Sequence, residues 1–332
     1  MKKIGYYLLI LSFFASCGES KKFDIAAEKS AIQAKADHIN SDFMKIRMEV
    51  DSLASEIAEL YQRQHEILPG IDTRKYQLAS NGVFTKPIDD GGSAIFVSGY
   101  YPVNDYIKKI VYFTEPIDQS FIRLVKQYPE IVQLYYNDKY CINRIYPFFD
   151  VLSQYEAKMD IPSFNFYYLA DAAHNPKKKS LWINESYVDP AGRGWMVSTI
   201  APVYFRDSLV GVPGIDVTIN LITKRYLLDN PESMTMIIDN NGAIVAAQES
   251  AINLLSFPPL FEHKYIETIK QDTYRKDLYN LTLSKEAKVR DIASQILLKK
   301  KELVETEIGG ERITIITANI PELNWKLIEI LK

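Results

Sequence analysis

The longest regular pattern of apolar and polar positions covers residues 24–66, which contain neither Gly nor Pro. Apolar residues recur there at intervals of three, four or seven, the spacing of one helix face: Ile25, Ile32, Ile39, Phe43, Ile46, Val50, Leu53, Ile57 and Leu60. The pattern ends at Leu68-Pro69-Gly70, where Pro and Gly stop a helix. We predict one long amphipathic helix packed along a globular body rather than a free coiled coil, because Ala and Ser interrupt the stripe.

Shorter patterns follow the predicted helix and alternate between strand and helix periods. Residues 93–102 and 107–115 are rich in β-branched and aromatic residues and predict strands, whereas 116–128 predicts a helix. Residues 130–138 and 140–148 predict a hairpin around Asn137-Asp138.

A loop-rich segment is expected from Asp150 to Tyr187. Residues 194–205 and 209–217 then predict a second hairpin, turned at Arg206-Asp207-Ser208, and Thr218 is the expected N-cap of a helix over 218–228. Short antiparallel strands with interspersed helices indicate an α+β fold.

A second unit begins near Asn230-Pro231. Residues 233–239 turn through Asn240-Asn241-Gly242 into 243–248, a strong hairpin signal. A charged helix is expected over about 264–301, followed by strands 311–319 and 324–331 joined by Ile320-Pro321-Glu322-Leu323. The second unit therefore repeats, on a smaller scale, the plan of the first.

Composition narrows the classes of function. With 39 basic and 42 acidic residues the net charge is −3, which provides no basic surface for nucleic acid. The histidines His38, His65, His174 and His263 are scattered singly, so we expect neither a metal site nor a cofactor.

The N-terminus has the layout of a secretory signal. Lys2 and Lys3 precede a short apolar run, and Phe14-Ala15-Ser16 leads to Cys17. The run is too short to span a membrane, although an uncleaved anchor is the alternative. The stretch resembles the bacterial lipobox, with Phe14 where that family usually has Leu. The resemblance implies a signal peptide over 1–16 and an acylated Cys17, hence an extracytoplasmic protein anchored by lipid in the bacterial cell envelope.

Large aromatic residues cluster around a turn in residues 182–204. Asp189-Pro190-Ala191-Gly192 is a turn sequence, with Asp able to bond the backbone two residues on. Trp182, Tyr187 and Trp195 flank that turn. The two tryptophans fit a hydrophobic core equally well, whereas a buried tyrosine hydroxyl needs a partner, so Tyr187 is the stronger ligand candidate.

This arrangement resembles the double Cache family, the extracytoplasmic ligand-binding domains of chemoreceptors and sensor kinases. The resemblance covers Asp24 to Lys332 in layout and is most specific between about Asp160 and Thr218. It implies a long helix within residues 17–66, then two PAS-like antiparallel-sheet lobes, the membrane-distal lobe at 67–230 and the membrane-proximal lobe at 231–332. In the family the ligand lies in the distal lobe.

The strand over 209–217 supports a ligand at that place. By the period of two, Val210, Val212, Gly214, Asp216 and Thr218 share one face. An acid on an apolar face is costly unless paired, and Gly214 leaves space above the sheet. A bound ammonium would satisfy Asp216; capping of the next helix or an ion pair with Lys or Arg is the alternative.

One departure from the family concerns the ligand's carboxylate. Amino-acid-binding members carry Arg-x-Trp-Tyr, and the aligned stretch here has Phe164 for Arg, Phe166 for Trp, and Tyr167. A phenyl ring cannot replace a guanidinium. We therefore expect an amine-bearing or aromatic ligand, with the ligand-binding residues Phe164, Phe166, Tyr167, Trp182, Tyr187, Asp189 and Asp216.

These residues bear on three classes of function. A binding module is favoured, because no nucleophile, base or metal constellation can be assembled and we expect no catalytic residues. An enzyme would need Asp189 and Asp216 as paired carboxylates, which no motif supports. A structural or partner-binding envelope lipoprotein without a small-molecule ligand is the alternative. Because the chain ends at Lys332, we expect a bound state to be sensed by a separate envelope signalling protein, with a homodimer through the long helix as a further option.

Overall fold

The structure is a computed structural model that describes residues 23–188, 195–228, 230, 233–258 and 276–332, with the backbone alone at 184–188 and 276–277. Its helices are α1 Ile25–Gln62, α2 Gln64–Ile67, α3 Asp105–Phe113, α4 Asp118–Gln127, α5 Val151–Gln154, α6 Asn165–Tyr168, α7 Ile219–Tyr226, α8 Glu249–Leu254 and α9 Ala287–Ala293.

The strands form two antiparallel sheets. They are β1 Gln77–Leu78, β2 Phe84–Thr85, β3 Ala94–Val97, β4 Ile131–Asp138, β5 Ile142–Tyr146, β6 Leu181–Val188, β7 Trp195–Ile200, β8 Val203–Phe205, β9 Ser208–Thr218, β10 Thr235–Ile238, β11 Ile244–Ala247, β12 Leu303–Ile308, β13 Glu311–Ile320 and β14 Trp325–Leu331. The large sheet has the order β1-β2-β3-β5-β4-β9-β7-β6, with β8 paired to β9, and the small sheet has the order β11-β10-β14-β13-β12. The predicted α+β architecture, a long helix followed by two antiparallel-sheet lobes, is confirmed.

Helix α1 packs along both sheets. It begins after Asp24, whose side chain accepts from Ala26 N and Ala27 N, and its apolar stripe is buried as the period predicts. It contacts β7, β8 and β9 of the large sheet and β13 and β14 of the small sheet. One apolar core therefore lines α1 over its length, and each sheet has a further core on the face turned away from α1.

A buried polar cluster joins the end of α1 to the β4–β5 hairpin. The Asp138 carboxylate accepts from the Tyr61 hydroxyl at 2.7 Å, from the Tyr136 hydroxyl at 3.4 Å and from Tyr140 N at 2.7 Å. Burial raises the pKa of Asp138 from 3.8 to about 6, a rise that the hydrogen bond from Tyr61 partly offsets. This carboxylate gains a proton more readily than an exposed one does.

The strand prediction for 107–115 is wrong, because these residues form most of α3. Asn104 caps the helix by accepting from Ile107 N, and Ile107, Ile110 and Val111 are buried at helical spacing. A short run of β-branched residues fits both the strand period and the helix period. The N-cap at Asn104 favours the helix. The predictions also missed four strands: β1 and β2 lie before the first predicted strand, β6 lies almost wholly in the expected loop-rich segment, and β12 follows the charged stretch.

The predicted turns before β9 and β11 and the predicted cap of α7 are present, whereas Asn137 and Asp138 lie at the end of β4, just before the turn to β5, and the predicted turn at Asp189-Pro190-Ala191-Gly192 lies outside the described residues. Arg206 and Asp207 both have positive φ between β8 and β9, as a two-residue hairpin turn requires. Gly242 has φ +84° in the β10–β11 turn, and Thr218 Oγ1 accepts from Leu221 N at the start of α7. In the described part of the predicted charged helix, residues 276–301, the helical segments are α9, a π-helical turn at Ser294–Leu298 and short 3-10 turns.

Candidate functional site

A pocket lies on the face of the large sheet turned away from α1. Its floor is formed by β4, β5 and β9, where Gln133, Tyr135 and Asn137 alternate along β4 and so share one face. The enclosed space of the pocket is about 30 Å³, and it reaches about 390 Å³ only when the open solvent at its mouth and the gaps between atoms are counted. The residues that line this pocket, called here the large-sheet pocket, are Gln133, Tyr135, Asn137, Asn143, Ile145, Tyr155, Met159, Ile161, Phe166 and Asp216.

The roof of the pocket comes from the segment between α5 and the end of α6. Tyr155 packs edge-on against Phe96, with ring centroids 5.0 Å apart. Phe166 packs edge-on against Tyr135, at 5.9 Å. These aromatic contacts hold the roof on the sheet, because edge-to-face pairs are favourable beyond the area that they bury.

Asp216 forms the acidic end of the pocket floor. Its carboxylate is buried and accepts hydrogen bonds from Gln133 Nε2 and Ser198 Oγ. Gln133 on β4 and Ser198 on β7 are its neighbours across the sheet on the two sides. Thr218, rather than Asp216, caps α7, so the capping alternative for Asp216 is wrong.

The other end of the floor is uncharged. Asn143 Nδ2 on β5 donates to Asn137 Oδ1 on β4 at 2.8 Å, and both side chains are buried. Asn143 Oδ1 has no hydrogen-bond partner among the described residues. Most buried polar atoms are paired, so this oxygen is available to a donor on a bound molecule.

The space above Gly214 is filled from within the chain, which corrects the expectation that Gly214 leaves room for a ligand. A Cβ at this position would lie 2.1 Å from Tyr135 Cζ. Gly214 therefore lets the Tyr135 ring lie flat on β9, and this ring separates the Asp216 end of the floor from the asparagine end.

Gly214→Ala should therefore lower the free energy of unfolding by about 1–3 kcal/mol, the usual cost of overpacking. Urea denaturation measures the change, and Gly70→Ala is the matched control because nothing lies within 4 Å of its added Cβ. Adding Tyr135→Leu should reduce the penalty, since the two positions are in contact. An effect of Gly214→Ala as small as that of Gly70→Ala would contradict this packing.

The predicted ligand residues do not all meet at this pocket. Phe166 and Asp216 line it. Phe164 stacks on Phe166 with centroids 5.1 Å apart, and Tyr167 is buried in the adjoining core. Burial, with the charge of Asp138, raises the pKa of Tyr167, so its hydroxyl remains protonated.

Trp182 lies on the opposite face of the large sheet. Its ring packs against Phe43 of α1 with centroids 5.2 Å apart, and its Nε1 donates to Glu322 Oε1 at 3.1 Å. Trp182 therefore belongs to the core along α1 and ties β6 to the second lobe. The side chain of Tyr187, whose backbone pairs with Met196, and the whole of Asp189 lie outside the described residues, as does Cys17.

Val210 also departs from the predicted shared face. It packs in the core along α1, whereas Val212 packs on the pocket side. The reason is a bulge in β9: Val203 pairs with Gly211 and Tyr204 with Leu209, so Val210 is an extra residue. An extra residue reverses the alternation beyond it.

Gln133, Asn137 and Asn143 are pocket residues that the sequence reasoning missed. The signal for the first two is present in the sequence, because Gln133 and Asn137 are polar positions four residues apart in a strand whose other residues, apart from Asp138, are apolar or aromatic. The strand period shows that they share a face, but not that this face is buried under a roof.

A second concavity, of about 610 Å³ including open space, lies beside the start of α4. Its charges are paired within the chain. Lys75 Nζ lies 2.8 Å from Glu115 Oε1 and 3.3 Å from Asp90 Oδ2, and Arg144 donates to Asp118 at 2.9 Å. The large-sheet pocket is therefore the better candidate for a ligand site.

The described residues contain no group of three or more His, Cys, Asp or Glu side chains placed to hold a metal ion. Burial raises the pKa of the Cys141 thiol to about 11, so it stays protonated at neutral pH. No helix in the described part of the chain is both long and apolar enough to cross a membrane.

Solved structures with the same architecture are extracytoplasmic sensor domains. The ligand-binding domain of the Pseudomonas fluorescens chemoreceptor CtaA with L-serine is 12% identical, with a TM-score of 0.53 over 92% of this chain and 96% of that one. The Pseudomonas aeruginosa PAO1 chemoreceptor PctC with GABA is 14% identical, with a TM-score of 0.51 over 92% and 99%. The extracellular domain of the histidine kinase mmHK1S-Z2 is 11% identical, with a TM-score of 0.54 over 92% and 96%.

No protein-family model and no curated protein sequence matches the chain. The structural matches nevertheless cover 92% of this chain. The chain has the double Cache fold found in sensor domains of chemoreceptors and histidine kinases, as the sequence resemblance implied.

Proposed function

We propose that this protein is an extracytoplasmic binding protein of the sensor type, which holds a small amine-bearing or aromatic molecule non-covalently in the large-sheet pocket. The observation that carries the proposal is the buried carboxylate of Asp216 on the floor of an aromatic pocket. Of the described residues that line this pocket, none is Lys, Arg or His. A carboxylate on such a floor attracts a positively charged group more strongly than a carboxylate in water does.

The aromatic walls support the same ligand class. Tyr135 and Phe166 present rings to the pocket, and cations are attracted to ring faces by about 0.5–2 kcal/mol. Where amino-acid sensors hold a carboxylate with Arg, this chain has Phe164 stacked on Phe166. The domains of CtaA and PctC were solved with L-serine and GABA, each of which carries a carboxylate, so we propose a different ligand here.

The proposal also covers the placement of the protein. Residues 67–230 are the distal, ligand-binding lobe and 231–332 the proximal lobe. The mature chain begins at a lipid-modified Cys17 after removal of residues 1–16 and is anchored to a membrane of the bacterial envelope. A separate envelope protein, or a second copy of the chain, senses the bound state along α1.

Asp216→Asn should abolish the thermal shift that a cationic ligand produces. Binding raises stability by RT ln(1 + [L]/Kd), about 2.7 kcal/mol at a hundredfold excess over Kd, so a thermal-shift screen of amines, amino acids, purines and carboxylates finds the ligand. Asn keeps the size of Asp but removes the counter-charge, and we expect binding about a thousandfold weaker, which leaves almost no shift at that ligand concentration.

Asp291→Asn, an exposed acid outside the pocket, is the matched control and should leave the shift unchanged. A carboxylate ligand whose binding survives Asp216→Asn would disprove the charge argument. If no compound binds, the alternative of a structural or partner-binding envelope protein takes the place of the sensor.

A further inference from the structure

The large-sheet pocket has two polar ends of different character. Asp216 and Gln133 are cross-strand neighbours at one end, and Asn137 and Asn143 are cross-strand neighbours at the other. Gln133 and Asn137 are four residues apart on β4, which places their Cα atoms roughly 13 Å apart at about 3.3 Å per residue. The Tyr135 ring lies between them, so a ligand that reaches both ends has to be elongated and to carry a polar group at each end.

The asparagine end presents an acceptor. Asn143 is 6% exposed, and its Nδ2 donates to Asn137 Oδ1 at 2.8 Å. This hydrogen bond turns Asn143 Oδ1 the other way, where it has no partner among the described residues. A buried acceptor without a partner is costly, so a ligand that supplies an N–H or O–H donor there gains more than one that does not.

The chemistry of this end excludes two kinds of ligand group. A carboxylate would place its lone pairs against the Asn143 oxygen, with no cation among the described lining residues to compensate. A second ammonium would lose its hydration and gain only uncharged acceptors. The free-energy cost of burying that charge is larger than the cost of burying an uncharged donor. An amide N–H or a hydroxyl avoids both costs.

We infer that the ligand is a monocation with an uncharged hydrogen-bond donor at its far end, of the amino-amide or amino-alcohol type, and that Asn143 selects that donor. This inference rests on the proposed function, in which Asp216 holds the cationic end. It makes Asn143 a specificity-determining residue, distinct from the residue that provides the charge.

Four probes with a four-carbon chain test the inference: 4-aminobutanamide, 4-aminobutanoate, butylamine and 1,4-diaminobutane. Homologues of each probe with two to five carbons show which chain length matches the span of the pocket. Isothermal titration of the whole protein should give the tightest binding with the amide, which we expect to exceed the acid by at least about tenfold. Asn143→Leu should bring the amide and butylamine to within about threefold of each other while butylamine still binds.

A variant that changes the charge of residue 143 but not its size separates the effect on ligand preference from an effect of lost packing. Asn143→Asp preserves the size of the side chain and should shift the preference by at least about tenfold toward the diamine, whereas Asn253→Asp, at an exposed position, should not. Preference for the acid, or an amide preference that survives both Asn143 variants, overturns the inference and leaves the proposed function standing. If no amine of any length binds, the amine-bearing ligand of the proposed function is wrong and the inference fails with it, and an aromatic ligand is then the remaining form of that proposal.

Discussion

Arg144→Met should lower the free energy of unfolding by about 3–5 kcal/mol, the range seen when one partner of a buried ion pair is removed. Arg144 is 1% exposed, and its guanidinium donates to Asp118 Oδ1 at 2.9 Å and to the carbonyl of Val111 at 2.6 Å. Asp118 also accepts from the backbone and hydroxyl of Ser93. Without Arg144, a buried carboxylate keeps its neutral donors but loses its counter-charge.

Chemical denaturation checks this prediction against two further variants. Arg74→Met removes an ion pair whose arginine side chain is 88% exposed, and such pairs are worth about 0–1 kcal/mol. Adding Asp118→Asn to Arg144→Met should recover part of the loss, because no uncompensated charge then remains. An Arg144→Met variant as stable as Arg74→Met would show that the pair contributes little.

The stability contributed by Asp138 should fall by about 2 kcal/mol as the pH rises from 4 to 7. Burial raises the pKa of this carboxyl to about 6 from 3.8, so the folded protein keeps a proton that the unfolded chain releases. The contribution is therefore fully present below about pH 4 and is lost as the pH rises through about 6. Asp138→Asn, which cannot ionise, should remove this dependence.

Urea denaturation of the wild type and Asp138→Asn at both pH values gives the difference directly. We expect the variant to gain on the wild type as the pH rises, by that same amount. Asp105→Asn, whose acid is 93% exposed, is the control for general effects of pH. An Asp138→Asn variant that runs parallel to the wild type across this range would contradict a raised pKa at Asp138.

The sequence predictions were more accurate for elements whose pattern of apolar and polar residues extends over more residues. Helix α1 was predicted almost to its ends. Its apolar stripe repeats over many turns, and a periodic pattern of that length fits only a helix. The short run that forms α3 fits the strand period as well as the helix period, and the cap at Asn104 is the feature that distinguishes the two. Trp182 was assigned to the ligand from its place in an aromatic cluster, yet it faces α1.

Amino-acid sequence by itself determined the class of each long element, the hairpin turns at Arg206-Asp207 and Gly242, and the presence of an acid at Asp216 on an otherwise apolar strand. These follow from local spacing, caps and turn chemistry. Tertiary structure decided which side chains meet that acid. Gln133 is 83 residues away in sequence from Asp216 and reaches it because β4 lies between β5 and β9, which also brings Asn143 to the same floor. Strand order and the choice of covered face depend on how all the apolar surfaces are buried together, and no local pattern contains that information.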